Sequence, residues 1–502
     1  MPRRSILSVT EKQNLLAFPD NKDELIRHYT FSDTDLAIIR QRRGATNQLG
    51  FAVQLCCMRY PGVIFGVHDD PFSPLLKLVA DQLKIAPDAW QNYGQREQIR
   101  REHLSELQTV FGFQSFSTLN HYKAAVNSLD ELAWQTDKGI VLAMKLAQGL
   151  RYKNILLPST DVIDRICAEA ITRANRHIHA TLTDTLTAEH KQRLDKLLKR
   201  KEGGTTTWLA WLRNSPIKPN SRHMLEHIER LKVWQAIGFN DGIHSLIHQN
   251  RLLKISREGS QMSSSDLAKF EPQRRHATLV ALAIEGMATI TDEIIDLNDR
   301  IIGKLFNAAK HKHQQQFQAC GKGINEKVWL YGRIGQTLID AKQSGRDPFS
   351  AIEAVMPWDN FAASVIDAQR LAQPADFDFL HHIGDSYATL RRYAPQFLEV
   401  LKLCAAPAAT SVLDAINFLR SMNRDSVRKV TTNTPTSFIK PRWAKLVFTI
   451  DGIDRRYYEL CALSELKNAL RSGDVGKRLT PIQRFRGLSS SGREVLCYEA
   501  DL

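Results

Sequence analysis

The sequence has no long apolar run and no glycine-rich phosphate loop. Its longest apolar stretches, such as residues 278–284, are far shorter than the roughly 20 residues that a membrane-spanning helix needs. No apolar segment follows residues 1–4, so we expect no secretory signal and a cytoplasmic location. Neither the P-loop pattern nor the dinucleotide-binding pattern occurs, which excludes the commonest nucleotide-driven enzymes.

Glycine and proline are also scarce, with 26 and 18 copies in 502 residues, and this favours long helices over a turn-rich β-sandwich. Hydrophobic residues make up 43% of the chain, which is enough for several cores and excludes intrinsic disorder. We predict a mainly α, multidomain helical fold with helix-turn-helix-like units near the N-terminus. At most a few strands are expected, near residues 446–450.

Residues that bind metals occur without the patterns that metal sites need. The seven cysteines are scattered and include no Cys-x-x-Cys pair, so we expect free thiols and no zinc site. Two histidine pairs have the four-residue spacing of helical zinc ligands but no third ligand nearby, and we predict structural or surface roles for both pairs, His223/His227 and His244/His248. Carboxylates for metal-dependent phosphoryl transfer must converge from different elements, whereas one helix carries Asp292, Asp296 and Asp299. We therefore predict no catalytic residue and no metal site.

Positive charge, by contrast, is abundant. Lys and Arg number 68 against 54 Asp and Glu, which gives a net charge of +14. An excess of this size indicates a polyanionic partner, although thinly spread charge would only aid solubility. The excess lies mainly in two stretches: residues 191–232 carry eleven basic and four acidic side chains, and residues 420–456 carry nine and three.

The first 62 residues are predicted to form a small helical unit. Ser32 and Asp35 have the spacing of a capping box, which predicts a helix from Asp33 to Arg43 that Gly44 ends. A second helix, capped by Thr46 or Asn47, should continue to Pro61-Gly62. Two helices across a short turn with glycine resemble a helix-turn-helix.

Side chains suited to phosphates and base edges surround this turn, and the candidates for DNA contact are Arg40, Arg42, Arg43 and Asn47. The alternative is a solvated face on an ordinary helical hairpin. A second candidate surface is a helix predicted over residues 90–107, which carries Arg96, Arg100 and Arg101. There the alternative is that the arginines only pair with glutamates three or four residues away.

Further helices are predicted along the rest of the chain. One helix should begin at Ser159 or Thr160, and another should run from about residue 190 to Gly203-Gly204. Five more are predicted over residues 221–237, 275–305, 328–341, 379–403 and 457–471. The long apolar stripe of residues 275–305 is typical of a core helix or of a dimer seam. Residues 446–450 form the clearest predicted strand, ended by an Asp451-Gly452 turn.

Several long strings resemble the N-terminal portion of replicative transposases of the Tn-three family. They include HYTFSDTDLAIIRQRRGATNQLGFAVQLCCMRYPG (28–62), LRYKNILLP (150–158), RRHATLVALAIEGMATITDEIIDLNDRIIGKLF (274–306) and GIDRRYYELCALSELKNALRSGDV (452–475). The resemblance runs almost continuously from residue 1 to 475. It implies a multidomain half that recognises the transposon's terminal inverted repeats in double-stranded DNA.

The resemblance also implies a division of the chain. Residues 1–62 and 63–178 would be DNA-binding units, 179–320 an end-binding and dimerisation region, and 321–430 a linker or dimerisation region. Residues 431–475 would lead towards an RNase H-like core. Arg274 and Arg275, at the start of one matching string, join the candidates for DNA contact.

In this family, strand cleavage and joining use Asp, Asp and Glu with magnesium in that RNase H-like core. None of the three acids maps onto this sequence. We therefore expect the chain to bind transposon ends without cutting them, with no cofactor of its own, and magnesium is expected only for the catalytic domain.

The last residues depart from the family pattern, and we expect residues 476–502 to be a frameshifted tail. The family continues with a pattern like WVxGSRQFxDFxDYLLP, whereas this chain has GKRLTPIQRFRGLSSSGREVLCYEADL. Codons allowed by Val475 and the following residues, moved by one base, permit WVNGSRQFNDFEDYLLP. Sequencing the gene tests this hypothesis.

Two other classes of function stay open. A helical protein could pair with itself or with an intact transposase through residues 275–305 and inhibit it without binding DNA tightly. A complete enzyme would nick transposon DNA with a metal ion. For the leading hypothesis we expect a homodimer, or pairing with an intact transposase, associated with the bacterial nucleoid.

Overall fold

The computed structural model describes residues 5–65, 72–93, 95, 97–215, 218–238, 241–372, 378–427, 429–430 and 434–477. The first half of this chain contains helices α1 Val9–Leu15, α2 Lys22–Tyr29, α3 Asp33–Arg40, α4 Ala45–Arg59, α5 Ser73–Leu83, α6 Glu97–Phe111, α7 Thr118–Asn127, α8 Asp130–Gln135, α9 Gly139–Tyr152, α10 Thr160–Thr183, α11 Ala188–Lys196, α12 Trp208–Arg213, α13 Ser221–Gln235, α14 Gln249–Gln261 and α15 Ser264–Ala268. The second half contains α16 Pro272–Ser344, α17 Pro348–Val355, α18 Trp358–Leu371, α19 Leu380–Ile383, α20 Tyr387–Arg391, α21 Ala394–Val400, α22 Thr410–Arg424, α23 Pro441–Val447 and α24 Arg455–Ser472. The predicted tail falls almost wholly on residues 478–502, which lie outside the described residues.

The prediction of a mainly α fold is confirmed, and the described strands are short. Strands β2 Phe448–Thr449 and β3 Gly452–Ile453 form an antiparallel hairpin across the predicted Asp451-Gly452 turn. Residues 446 and 447, predicted as strand, belong instead to α23, whose first residue is the proline Pro441. A second antiparallel pair joins β1 Leu403–Ala405 to β4 Val475–Lys477, and the sequence analysis did not predict it.

The chain folds as two compact units that do not follow a simple cut along the sequence. Unit 1 comprises Met1–Lys191, Gly242–Met262 and Asp266–Ala281, and unit 2 comprises Gln192–Asp241, Ser263–Ser265 and Leu282–Leu502. The long helix α16 therefore contributes its first residues to unit 1 and the rest to unit 2. The domain boundaries at residues 62, 178, 320 and 430 stay predictions.

Helix α4 is the centre of the first core of unit 1. Its residues 49–58 are all buried, because α2, α3, α5 and α6 pack around it. A helix that is buried on every side needs apolar side chains, or polar side chains whose hydrogen bonds are satisfied inside the protein. Gln54 satisfies its amide by two hydrogen bonds with the backbone of Phe65, at 3.1 and 3.2 Å.

Helix α10 organises the second core of unit 1, together with α7, α8 and α9. It begins at Thr160 after Ser159, as predicted. Residues 6 and 7 are fixed to it, because Oδ1 of Asp164 accepts hydrogen bonds from the backbone N–H groups of Ile6 and Leu7 at 3.0 and 2.9 Å. Leu7 is thereby held in this core.

Unit 2 is built on the greater part of α16. The apolar stripe of residues 275–305 is buried within the chain's own packing, so the core interpretation is confirmed. The helix predicted for residues 328–341 is the continuation of α16 and not a separate element. Tyr393 donates a hydrogen bond from its hydroxyl to Oδ1 of Asn298 at 2.9 Å, which pairs two buried polar groups.

Several predicted helices end in different places. Residues 379–403 form three short helices, with Pro395 in the first turn of the last one, instead of one long helix. Helix α13 ends at Gln235, close to the prediction, and α24 stops at Gly473, whose φ of 80° suits glycine. No described helix is long and apolar enough to cross a membrane.

The cysteines are mostly thiols, as expected. Cys56, Cys57, Cys167 and Cys461 are buried and Cys320 is half-buried, and burial raises the pKa of Cys167 to about 12. Cys404 differs, because it takes part in a disulfide bond.

Candidate nucleic-acid interface

The predicted capping box at the start of α3 is confirmed. Asp35 donates its backbone N–H to Oγ of Ser32 at 3.2 Å, and the carboxylate of Asp35 accepts from the Ser32 N–H at 3.0 Å. Arg59 binds the same carboxylate through both guanidinium nitrogens, at 2.7 and 2.9 Å. Burial, which raises the pKa of Asp35, is outweighed by the hydrogen bonds from Arg59 and Ser32, so this pKa is lowered.

The turn after α3 begins three residues earlier than predicted. The helix ends at Arg40 rather than Arg43, and α4 begins at Ala45. Gly44 stands at the N-cap position with a φ of 88° and offers no side-chain cap, so the predicted capping by Thr46 or Asn47 is wrong.

Two amide side chains hold this turn in place. Nε2 of Gln48 donates to the carbonyl oxygens of Arg42 at 2.9 Å and Arg40 at 3.4 Å. Nδ2 of Asn47 donates to the carbonyl oxygen of Arg43 at 2.9 Å. The turn is therefore braced by the first turn of α4, and the amide donor of Asn47 already serves the backbone.

The three arginines of the turn have different surroundings. Arg42 points inward: its side chain is only 18% exposed, pairs with Glu106 of α6, and stacks over Phe51 with 5.0 Å between guanidinium carbon and ring centroid. Arg40 and Arg43 are exposed. The turn thus presents two arginines to solvent and uses the third to fasten itself to α6.

Helix α6 is shorter than the helix predicted for residues 90–107. Residues 87–92 form a 3₁₀ turn, and Tyr93 follows it with its ring against Gly50 of α4. Arg96 lies outside the described residues. Arg101 is 75% exposed and pairs with Glu97 at 2.7 Å within the helix, which is the alternative that the spacing indicated.

Arg100 is half-buried on the same helix. Its Nη1 is buried, and the described residues offer it no hydrogen-bond partner. His103, one turn further along, contacts Tyr93 through Nδ1 at 3.2 Å and meets Phe51 edge to face. Burial lowers the pKa of His103, and the nearby charge of Arg42 lowers it further, so the imidazole is neutral near neutral pH.

Arg274 and Arg275 lie at the start of α16, and both are engaged within unit 1. Arg274 pairs with Glu258 at 2.5 Å and stacks over Phe270 at 4.0 Å. Nη1 of Arg275 lies 3.4 Å from the carbonyl oxygen of Phe270. These contacts fasten the start of α16 to the preceding segment. DNA contact by Arg274 or Arg275 stays a prediction.

Helix α4 does not have the exposure of a helix that lies along a DNA groove. Its accessible residues are the first turn, residues 45–48, and the last residue, Arg59, because residues 49–58 are buried. A recognition helix lays several side chains along base edges in the major groove. Contact through this motif would therefore involve the turn and the end of the helix.

The second basic stretch is largely engaged inside unit 2. Arg420 donates to the carbonyl oxygens of Leu398 and Leu401 at 2.8 and 2.6 Å. Arg455 binds the buried carboxylate of Glu459 at 2.9 Å, and Arg424 pairs with Glu399 at 3.0 Å. Lys440 and Arg456 also form salt bridges, with Glu465 and Asp454. Most of the charge that the sequence placed here thus stabilises the fold.

The first basic stretch is arranged differently from the prediction. Helix α11 ends at Lys196, so Lys199, Arg200 and Lys201 lie beyond it and not on a helix. The signal that sequence analysis could have used is the Gly203-Gly204 pair itself, which is typical of a tight turn between two extended segments.

The histidine pairs have the predicted structural or surface positions where the structure describes them. His227 is buried, with Nδ1 3.5 Å from a carboxylate oxygen of Glu293, and His223 contacts the backbone of Lys218. The side chain of His244 lies outside the described part. Within the described residues, no three His, Cys, Asp or Glu side chains converge as metal ligands.

Comparison with known proteins gives two kinds of match. A family model described as "Domain of unknown function (DUF4158)" matches residues 6–170. The curated relatives are transposases: that of transposon Tn3926 from Escherichia coli is 70% identical over 512 residues, covering 100% of this chain and 52% of the relative. The transposase for transposon Tn21 from Escherichia coli is 68% identical, covering 98% and 51%.

A more distant match is the transposase for transposon Tn501 from Pseudomonas aeruginosa, 57% identical, covering 97% of this chain and 50% of the relative. The chain spans about half the length of the curated relatives it matches. Along its whole length, the chain is therefore similar to transposases of the Tn-three family.

Proposed function

We propose that the chain is the DNA-binding N-terminal half of a Tn-three family transposase and recognises the terminal inverted repeats of its transposon. The observation that carries the proposal is the 70% identity to a transposase along the whole chain. The exposed Arg40 and Arg43 on a braced turn support it, because guanidinium groups held at the surface bind phosphates and guanine edges.

Binding assays with duplex DNA test this proposal. The full chain is titrated against duplexes with the terminal inverted repeats of Tn3926 and Tn21 and against scrambled duplexes of equal length. We expect tighter binding to at least one end duplex, and affinity that falls as salt rises. Equal affinity for end and scrambled duplexes would contradict end recognition.

A matched pair of variants locates the contact. The double variant Arg40→Ala with Arg43→Ala should weaken binding. The control, Lys123→Ala with Lys145→Ala, replaces two exposed lysines on α7 and α9 and should change the affinity little. Arg43→Ala alone is the stricter test, because unchanged affinity removes this residue from the interface.

Strand cleavage is proposed to need the part of the relatives that this chain does not match. The same end duplex incubated with the chain and magnesium should stay intact. Nicking by the purified chain would show that it carries catalytic residues and would overturn this part of the proposal.

A second candidate function rests on exposed apolar side chains in unit 2. Phe317, Val328 and Trp329 on α16 are 62%, 64% and 71% exposed, and apolar groups this exposed favour a protein partner. The chain would then pair with a second copy or with an intact transposase and inhibit transposition. Light scattering that shows only monomers, alone and with an intact transposase, would argue against it.

A further inference from the structure

A short hairpin separates α11 from α12 in unit 2. The N–H of Leu209 donates to the carbonyl oxygen of Leu197 at 2.8 Å, that of Trp208 to Lys199 at 3.1 Å, and that of Lys201 to Thr206 at 3.0 Å. Residues 202–205 form the tip. Gly203 there has a φ of 70°, a left-handed conformation that glycine adopts without strain.

The base of the hairpin is fixed to the protein. Leu197 and Leu209 are buried where the two segments begin and end. Oγ1 of Thr207 accepts the backbone N–H of Ala210 at 3.2 Å, which caps α12, and lies 2.7 Å from Oγ of Ser264. A projecting loop with such a base keeps the positions of the side chains along it.

Two tryptophans fix one cation of the hairpin without neutralising it. Nζ of Lys201 lies 3.6 Å from the ring centroid of Trp211 and 4.6 Å from that of Trp208. Lys196 approaches Trp208 at 6.0 Å. The aromatic faces carry no net charge, so these contacts bring no anion to either ammonium group.

The other two cations of the hairpin are free. Lys199 and Arg200 are exposed, and within the described part of the chain neither has an acidic partner. Elsewhere in this unit, by contrast, arginines such as Arg424 and Arg455 are paired with glutamates. Lys199 and Arg200 thus combine two features, an exposed side chain without an acidic partner and a place on a fixed projection next to Lys201, and this combination suits an anionic partner outside the chain.

We propose that residues 199–207 form a contact with the sugar-phosphate backbone of duplex DNA. Lys199 and Arg200 would bind phosphate oxygens, the hydroxyls of Thr205 and Thr206 would donate to them, and the glycine tip would allow close approach of the backbone. The contact adds sequence-independent affinity, and it rests on the proposed function, since it presupposes that the chain binds DNA.

The test compares two double variants in the full chain. Lys199→Ala with Arg200→Ala should lower affinity roughly three- to tenfold, equally for end and scrambled duplexes, and should reduce the slope of log affinity against log salt by about two. The matched control, Lys342→Ala with Arg346→Ala, removes two exposed cations, one in the last turn of α16 and one just beyond it, and should leave both quantities unchanged.

A third double variant distinguishes the effect of positive charge on DNA binding from the effect of side-chain identity. Lys199→Arg with Arg200→Lys keeps both charges and should keep the salt slope of the wild-type chain. An unchanged slope in the double-alanine variant would overturn the hairpin contact, and so would an equal loss in the control pair.

Failure of this proposal can be told apart from failure of the proposed function. If the wild-type chain prefers end duplexes and Arg40→Ala with Arg43→Ala weakens this binding, while the hairpin variant binds normally, only the hairpin contact is wrong. If the wild-type chain binds no duplex, the proposed function is wrong and the hairpin contact falls with it.

Discussion

At the residue scale, burial separates arginines that the sequence cannot separate. Arg40, Arg42 and Arg43 lie within four positions, yet only Arg42 turns inward, to Glu106 and Phe51. A guanidinium can stack on an aromatic ring and bind a carboxylate at once, so its long apolar stem suits a half-buried position. Which arginine takes that position depends on where α3 ends, and the sequence placed that end three residues too late.

Gly50 is a residue whose role only the packing reveals. A Cβ built on Gly50 would overlap the Tyr93 ring, whereas a Cβ at Gly149, on the exposed face of α9, meets nothing. We expect Gly50→Ala to destabilise the chain by about 1–3 kcal/mol through overpacking. Gly149→Ala should stabilise it by up to about 1 kcal/mol through helix propensity. Urea unfolding of both variants measures the difference, and equal effects would show that the Tyr93 ring moves freely.

His103 makes the stability of unit 1 depend on pH. Its pKa in the folded chain is lowered, first by burial and then by Arg42, with Glu106 and Glu102 opposing this shift. Below about pH 6.5 the unfolded chain binds a proton that folded His103 refuses, so stability present above that pH is lost as the pH falls. We expect a smaller fall in melting temperature between about pH 7.5 and 5.5 for His103→Gln than for the wild-type chain.

The control for this experiment replaces an exposed histidine of the same unit. His177→Gln should leave the pH dependence of melting as it is in the wild-type chain. Two other buried or half-buried histidines of unit 1, His28 and His179, also have a lowered pKa, so some pH dependence should remain in His103→Gln.

At the element scale, local signals predicted helix starts better than helix ends. The Ser32 capping box and the start of α10 follow from side chains within three residues, which the sequence displays. The end of α3 depends on Gln48 and Asn47 bonding back to the turn. Helix α16 continues without a break through residues 306–327, which are mostly exposed and gave no apolar stripe to predict it. The pairing of β1 with β4 joins segments about 70 residues apart, so no local pattern could indicate it.

Helix α14 is held to the rest of unit 1 by one buried arginine. Arg251 is 3% exposed, bonds Oδ2 of Asp137 at 3.1 Å, and contacts the side chain of Asn175. Removing one partner of a buried pair leaves the other without compensation, which costs about 3 kcal/mol. We therefore expect Arg251→Ala to lower the free energy of unfolding by about that amount.

The exposed Arg257 on the same helix is the matched control, and Arg257→Ala should change stability by less than about 0.5 kcal/mol. Urea unfolding followed by circular dichroism gives both values. A small effect of Arg251→Ala would mean that Lys254, which also pairs with Asp137, suffices to neutralise it.

At the scale of the whole molecule, net charge is a poor guide to where a polyanion binds. The composition alone indicated such a partner, and two basic stretches appeared equivalent in the sequence. In the fold, Arg424, Arg455 and Lys440 of the second stretch are paired with Glu399, Glu459 and Glu465. The first stretch carries the unpaired Lys199 and Arg200. Charge pairing is a property of tertiary contacts, so the sequence predicted the partner class but could not rank the two stretches.

The two cores of unit 1 lie within nearly the same residues as the family match, and this predicts an independently folding fragment. The first core draws on residues 25–156 and the second on residues 7–174, and the match covers residues 6–170. A fragment of residues 1–183 keeps both cores and all of α10, so we expect a helical circular dichroism spectrum and one cooperative thermal transition.

A fragment of residues 1–156 is the contrasting case. It loses Ile163, Ile166 and Cys167 from the second core, and each buried isoleucine contributes about 1.5–3 kcal/mol to stability. Because whole domains are stable by only about 5–15 kcal/mol, this shorter fragment should fail to fold cooperatively, and a cooperative transition in it would show that α10 is dispensable.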